Sequence, residues 1–152
     1  MKKAVFLLVF PLLSCSNYSL DPVFTYYGSD QGFADAQIAA REWDKCGAQI
    51  TITNAPNHTP MVEQLHITDD PTDKFGGMTY FYEGPAGKYV KRVELRTTDD
   101  PNRFTTVIAH ELGHSLGLSH VPVGLMMPEQ LMPIEVGMLE CQHLWESQGI
   151  NE

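Results

Sequence analysis

Apolar and polar positions along this chain repeat with two periods, close to two residues in some stretches and close to a helical turn in others. Val23 to Tyr27 (VFTYY) is β-branched and aromatic, which predicts a strand. Ser29-Asp30 then offers a cap, and Phe33, Ala36, Ile38, Ala40 and Trp43 predict a helix packed on a sheet, with Gly47 ending it. Gln49 to Thr53 alternates as a strand does, and Val62 to Thr68 is a weaker strand candidate. Gly77 to Tyr82 and Tyr89 to Arg96 read as two more strands, after a turn at Asp69 to Lys74. Asp99-Asp100-Pro101-Asn102 caps a helix from about Arg103 to Leu116. Pro122, Pro128 and Pro133 keep the following stretch irregular, and a last helix is expected over Ile134 to Ser147. The order predicts an α+β or mixed α/β fold, with no internal repeat and no dividing linker.

Length agrees with one domain: 152 residues, of which 43% are hydrophobic, suffice for one modest core. Formal net charge is -9, and an acidic chain without a basic patch argues against nucleic acid as a partner. The first residues change the picture more. Met1-Lys2-Lys3 is a short basic segment and Ala4 to Leu13 an apolar run, too short to span a bilayer but suited to an export signal. It ends in Leu12-Leu13-Ser14-Cys15, which resembles the lipobox of bacterial lipoproteins. That resemblance implies lipidation of Cys15, anchoring to a membrane and, with Ser16 next, the outer membrane. An ordinary secretory signal is the alternative, giving a periplasmic or secreted protein. The expected organisation is a signal over 1–15, a tether over 16–21 and a single domain over 22–152. Export permits a disulfide, and Cys46 and Cys141 are the pair that the count leaves; two buried thiols are the alternative.

The chemistry is concentrated in His110-Glu111-Leu112-Gly113-His114-Ser115-Leu116-Gly117-Leu118-Ser119-His120. His110 and His114 are about one helical turn apart and leave the same face. Gly117 tolerates positive φ, so the helix can stop there and His120 can return as a third ligand. Three protein ligands leave a fourth zinc position open for water, the mark of a catalytic site. Glu111 is not needed for the metal, and a carboxylate beside zinc-activated water can serve as general base. Chance places five such fixed residues at a given position on the order of once in ten million.

HELGHSLGLSH resembles the metzincin clan of zinc endopeptidases and, within it, the matrixins. The resemblance implies a zincin fold, with a twisted, mostly parallel sheet of about five strands, an active-site helix, a Met-turn and a C-terminal helix. Leu125-Met126-Met127-Pro128 matches the Met-turn, with Met126 beneath the zinc site. Protein or peptide substrates are implied, held by strand addition along a sheet edge for which Gly77, Met78, Thr79 and Tyr80 are the candidates. Residues 127–132 would line the pocket beyond the scissile bond, an apolar one. This sequence departs from the matrixin pattern in three places. Val121 stands where serine is usual, the stretch from His120 to Met126 is short, and the acidic pair of the last helix is missing, with Glu135 the nearest substitute.

Other residues are read more plainly. His58, His66 and His143 are taken as surface or packed residues, and Trp43 and Trp145 as core. Asp69, Asp70, Asp73, Asp99 and Asp100 could bind Ca2+ through oxygen, but turn and cap roles are preferred. The rival functional readings are a non-catalytic zinc-binding lipoprotein module and a peptidoglycan-peptide hydrolase.

Overall fold

A computed structural model describes residues 19–55, 66–69, 76–84, 87–96, 101–128 and 135–150. Its elements are β1 (Val23–Tyr27), α1 (Asp30–Trp43), β2 (Thr51–Asn54), β3 (His66–Asp69), β4 (Gly77–Gly84), β5 (Gly87–Leu95), α2 (Pro101–Ser115) and α3 (Met138–Ser147). The fold is mixed α/β, with one five-stranded sheet and three helices among the described residues, as the periodicity predicts. The sheet order is β2-β1-β3-β5-β4. All neighbours are parallel except the β4–β5 hairpin, which leaves β4 antiparallel at one edge. A parallel β1–β2 pair needs a crossover, and α1 supplies it.

The helix α1 starts where Ser29 caps it, its hydroxyl accepting from the Gly32 amide at 3.0 Å. It ends at Trp43, and a short 3-10 turn carries the chain to Gly47, whose φ of 83° closes the end. The buried stripe is Ala36, Ala39, Ala40 and Trp43, at the spacing of one helical face. Ile38, expected in that stripe, is 48% exposed because it falls two residues from Ala36 and Ala40, on the opposite side. Small alanines let α1 approach α2 closely, and the Trp43 indole donates to the Ala109 carbonyl at 3.0 Å. On α2, Phe104, Ile108, Leu112 and then Leu116 repeat every fourth residue and are buried in one core with Phe24, Ile67, Val93 and Leu95 of the sheet.

Several boundaries shift from the sequence expectation by one or two residues, and two differences bear on the packing. β3 runs on through Asp69, which pairs with Leu95 of β5 and whose carboxylate accepts from the Tyr26 hydroxyl of β1 at 2.5 Å. The last helix begins at Met138, not Ile134: Val136 and Gly137 are described and precede it, while Ile134 lies outside the described residues. Gly137 is extended, and its amide donates to Glu140 at 3.0 Å, an N-terminal cap made from the helix's own first turn.

A disulfide joins Cys46 to Cys141 and so pins α3 to the end of α1. The Trp145 indole adds a hydrogen bond to the Cys46 carbonyl at 3.0 Å. Among the described residues no helix is long and apolar enough to cross a membrane. The leader, Cys15, His58, Asp70, Asp73, Asp99, Asp100 and residues 129–134 lie outside the described residues.

Candidate metal centre

The centre is built on the last turn of α2 and the loop that follows. Helix α2 ends in a reversal at Gly117, φ 95°. The Leu118 amide donates to the Gly113 carbonyl at 3.0 Å and the Gly117 amide to His114 at 2.9 Å. This pair of bonds satisfies two orphan carbonyls and requires a left-handed residue, which glycine supplies without strain. The reversal brings His120 back over the helix. Its Nε2 lies 3.2 Å from Nε2 of His110 and 3.1 Å from Nε2 of His114.

Each helical histidine is held from behind. His110 Nδ1 lies 2.7 Å from the Leu125 carbonyl, and His114 Nδ1 lies 2.8 Å from the Leu118 carbonyl. A carbonyl can only accept, so both Nδ1 atoms carry the proton and both Nε2 atoms present a lone pair to the centre. Burial pushes the His110 imidazole down to about 4, opposed by its bond to Leu125 and reinforced by the neighbouring His114 and His120. Burial also lowers His114, again opposed by its carbonyl partner and reinforced by His120. Neutral imidazoles with converging lone pairs repel one another unless a cation lies between them. A tetrahedral ion at about 2.0–2.1 Å from each nitrogen needs nitrogens about 3.3 Å apart, close to the observed spacing. The three residues therefore fit zinc, and among the described residues they form the group able to hold a metal.

The floor beneath them is Leu125-Met126. Met126 is 1% exposed, and Gly113, between the two helical histidines, admits no side chain because Met126 and Trp43 close over it. The short stretch after His120 is folded on itself: the Val121 amide donates to the Met126 carbonyl at 3.0 Å. The acidic residue that secures this turn is Glu140, not Glu135. Glu140 is 4% exposed and accepts from the Leu125 amide at 2.7 Å. Glu135 has a side chain 89% exposed and lies 4.0 Å from Lys45. Glu140 was detectable as an acid three residues after Gly137, but only once the helix start is set at Met138.

Glu111 is 6% exposed, beneath the edge strand β4. The Thr79 hydroxyl lies 2.6 Å from Oε2 of Glu111 and 3.1 Å from its backbone oxygen. Gly77 and Thr79 face α2, while Met78 and Tyr80 fall on the other face of the strand, as period-two geometry requires. Tyr80 stacks under the Arg92 guanidinium, 4.3 Å from its ring centre. Of the residues set aside, His66 is buried edge-on to Tyr27, and His143 is half-buried on α3. Asp69 is engaged by Tyr26 and by the backbone and hydroxyl of Ser29, a structural role.

No family model matches the chain, and no curated protein matches it. Among solved structures, that of myroilysin is 24% identical, with a TM-score of 0.45 over 74% of this chain and 49% of the other. High choriolytic enzyme 1, a hatching enzyme zinc-protease from Oryzias latipes (Medaka fish), is 20% identical, with a TM-score of 0.36 over 64% and 44% of the two chains. The chain thus spans about half the length of these proteins.

Proposed function

We propose that this chain is a zinc-dependent endopeptidase of the metzincin type, acting on proteins outside the cytoplasm. The observation that carries the reading is the convergence of three imidazole Nε2 atoms at a helix whose next residue after the first ligand is a buried glutamate, held against the edge strand by Thr79. His110, His114 and His120 hold the metal, and the carbonyls of Leu125 and Leu118 keep the first two in the ligating tautomer. Zinc held there would supply Lewis acidity toward a water molecule and a peptide carbonyl. Glu111 takes the proton of the attacking water and returns it to the leaving amine. Met126 keeps the floor apolar and closed. The main chain of Gly77 to Tyr80 pairs with an extended substrate, because β4 is bonded to β5 on one side and is the last strand of the sheet among the described residues.

Export is supported by the leader and agrees with the Cys46–Cys141 bond, since disulfides persist in oxidising compartments. Lipidation of Cys15 would hold the enzyme at a membrane surface. A pure metal-binding module would have no use for a glutamate buried beside the ligands.

The test is digestion of a diverse peptide mixture by the zinc-loaded protein, with new termini read by mass spectrometry beside the Glu111→Ala variant. Cuts made only by the unaltered protein, with zinc retained in both, are expected. Equal cutting by both would remove Glu111 from the mechanism, and zinc binding with no cuts would favour the binding-module reading.

A further inference from the structure

The proposed base does not hang freely from its helix. Its carboxylate lies in a seat made by two residues of β4 on the same face of the strand. Gly77 forms one wall. A Cβ there would come within 2.7 Å of Glu111 Cγ, 2.8 Å of Oε1 and 2.9 Å of Val107 Cγ1. Thr79 forms the other, with its hydroxyl 2.6 Å from Oε2. A carboxylate has no proton to give, so the hydroxyl donates, and its single proton goes to this shorter contact rather than to the backbone oxygen at 3.1 Å.

We propose that Thr79 is a positioning residue for Glu111. Its hydroxyl fixes the rotation of the carboxylate, and Gly77 leaves the space in which that rotamer fits. This inference rests on the endopeptidase reading above and adds a role that strand addition does not need. Pairing with substrate uses only the main chain of β4, so a valine at position 79 would serve it equally. The side chain of Thr79 instead links the edge strand to the base. A peptide laid along β4 is thereby brought into register with the carboxylate that handles its proton. The bland alternative is that Thr79 merely satisfies a helix carbonyl, which would make the contact to Oε2 incidental.

Valine, threonine and serine separate these possibilities. In the zinc-loaded protein, Thr79→Val is expected to lower kcat roughly 10- to 100-fold, the scale of a misplaced catalytic group, with KM little changed. Thr79→Ser keeps the hydroxyl and should recover most of that loss, with zinc content the same in all three. A second measurement needs no turnover. In the metal-free protein, Thr79→Val should lower the unfolding midpoint by about 2–4 °C when Glu111 is present and by much less in a Glu111→Ala background. Wild-type kcat in Thr79→Val, or a Thr79→Ser variant as impaired as Thr79→Val, would overturn the proposal. So would strictly additive midpoints. If the unaltered protein cuts nothing, the endopeptidase reading falls on its own. The thermal cycle then still decides whether Thr79 holds Glu111.

Discussion

Gly113 lies between two of the proposed zinc ligands, on a helix where glycine is normally a cost of about 1 kcal/mol against alanine. Here the packing reverses that preference. An added methyl would meet Met126 and the rigid, buried ring of Trp43, whose Cζ2 would be 2.9 Å away. Gly113→Ala is therefore expected to destabilise the protein by about 1–3 kcal/mol in urea unfolding, overpacking outweighing helix propensity. A more stable variant would show that the floor yields. At the same scale, His110 has a folded-state pKa lowered to about 4 from 6.5 by burial. Between those values the unfolded chain binds protons that the folded chain refuses. The contribution to stability of the metal-free protein is then complete above about pH 6.5 and is lost progressively as pH falls toward 4. His114, shifted the same way, adds to the slope. Thermal midpoints of the apoprotein across pH 7 to 4.5 check this, and His110→Gln should flatten the curve. Zinc binding requires the same neutral imidazoles, so metal should be released over a similar acidic range.

At the scale of elements, α3 acts on the metal centre without touching it. Glu140 accepts from the amides of Leu125 and Gly137, and the carbonyl of Leu125 accepts from His110. One residue of the turn thus connects a buried carboxylate to a zinc-directed ring. Glu140→Ala would leave two amides without their charged partner, at a cost of roughly 2–4 kcal/mol in unfolding free energy. The looser turn should also weaken zinc affinity about 10- to 100-fold, as loss of an outer-shell partner commonly does. A competition titration with a chromogenic chelator measures the second effect, and unchanged affinity would confine Glu140 to structural support. Helix α2 is the opposite case. Its apolar spacing, its proline start and its glycine stop are all local, and its expected span of Arg103 to Leu116 nearly coincides with Pro101–Ser115.

On the scale of the whole molecule, the Cys46–Cys141 bond closes a loop of sequence separation 95 between the end of α1 and α3. In the chain-entropy model such a loop is worth about 4–5 kcal/mol, a large share of a domain's net stability. Replacing both cysteines by alanine should lower the thermal midpoint markedly and loosen α3 first, since the described contacts of α3 with the body include the Trp145–Cys46 and Gln148–Leu116 hydrogen bonds. Protection of α3 amides from hydrogen exchange would report it. A midpoint within a degree or two of the unaltered protein would mean that packing alone holds the helix.

The amino-acid sequence by itself determined the mixed α/β order, the histidines that converge on one point and the place of the glutamate next to the first of them. Those features depend on periods of two and about four residues, and on a glycine whose φ the local chain demands, so neighbours in sequence suffice to read them. Tertiary structure decided the rest. That β4 is the edge strand follows from the order β2-β1-β3-β5-β4, which no single strand encodes. That Ile38 faces outward, that Glu140 rather than Glu135 secures the turn, and that Thr79 meets Glu111 across 32 positions all depend on which surfaces pack together. Such pairings are set by the burial of a shared core, a non-local quantity, and they become legible only when the chain is folded.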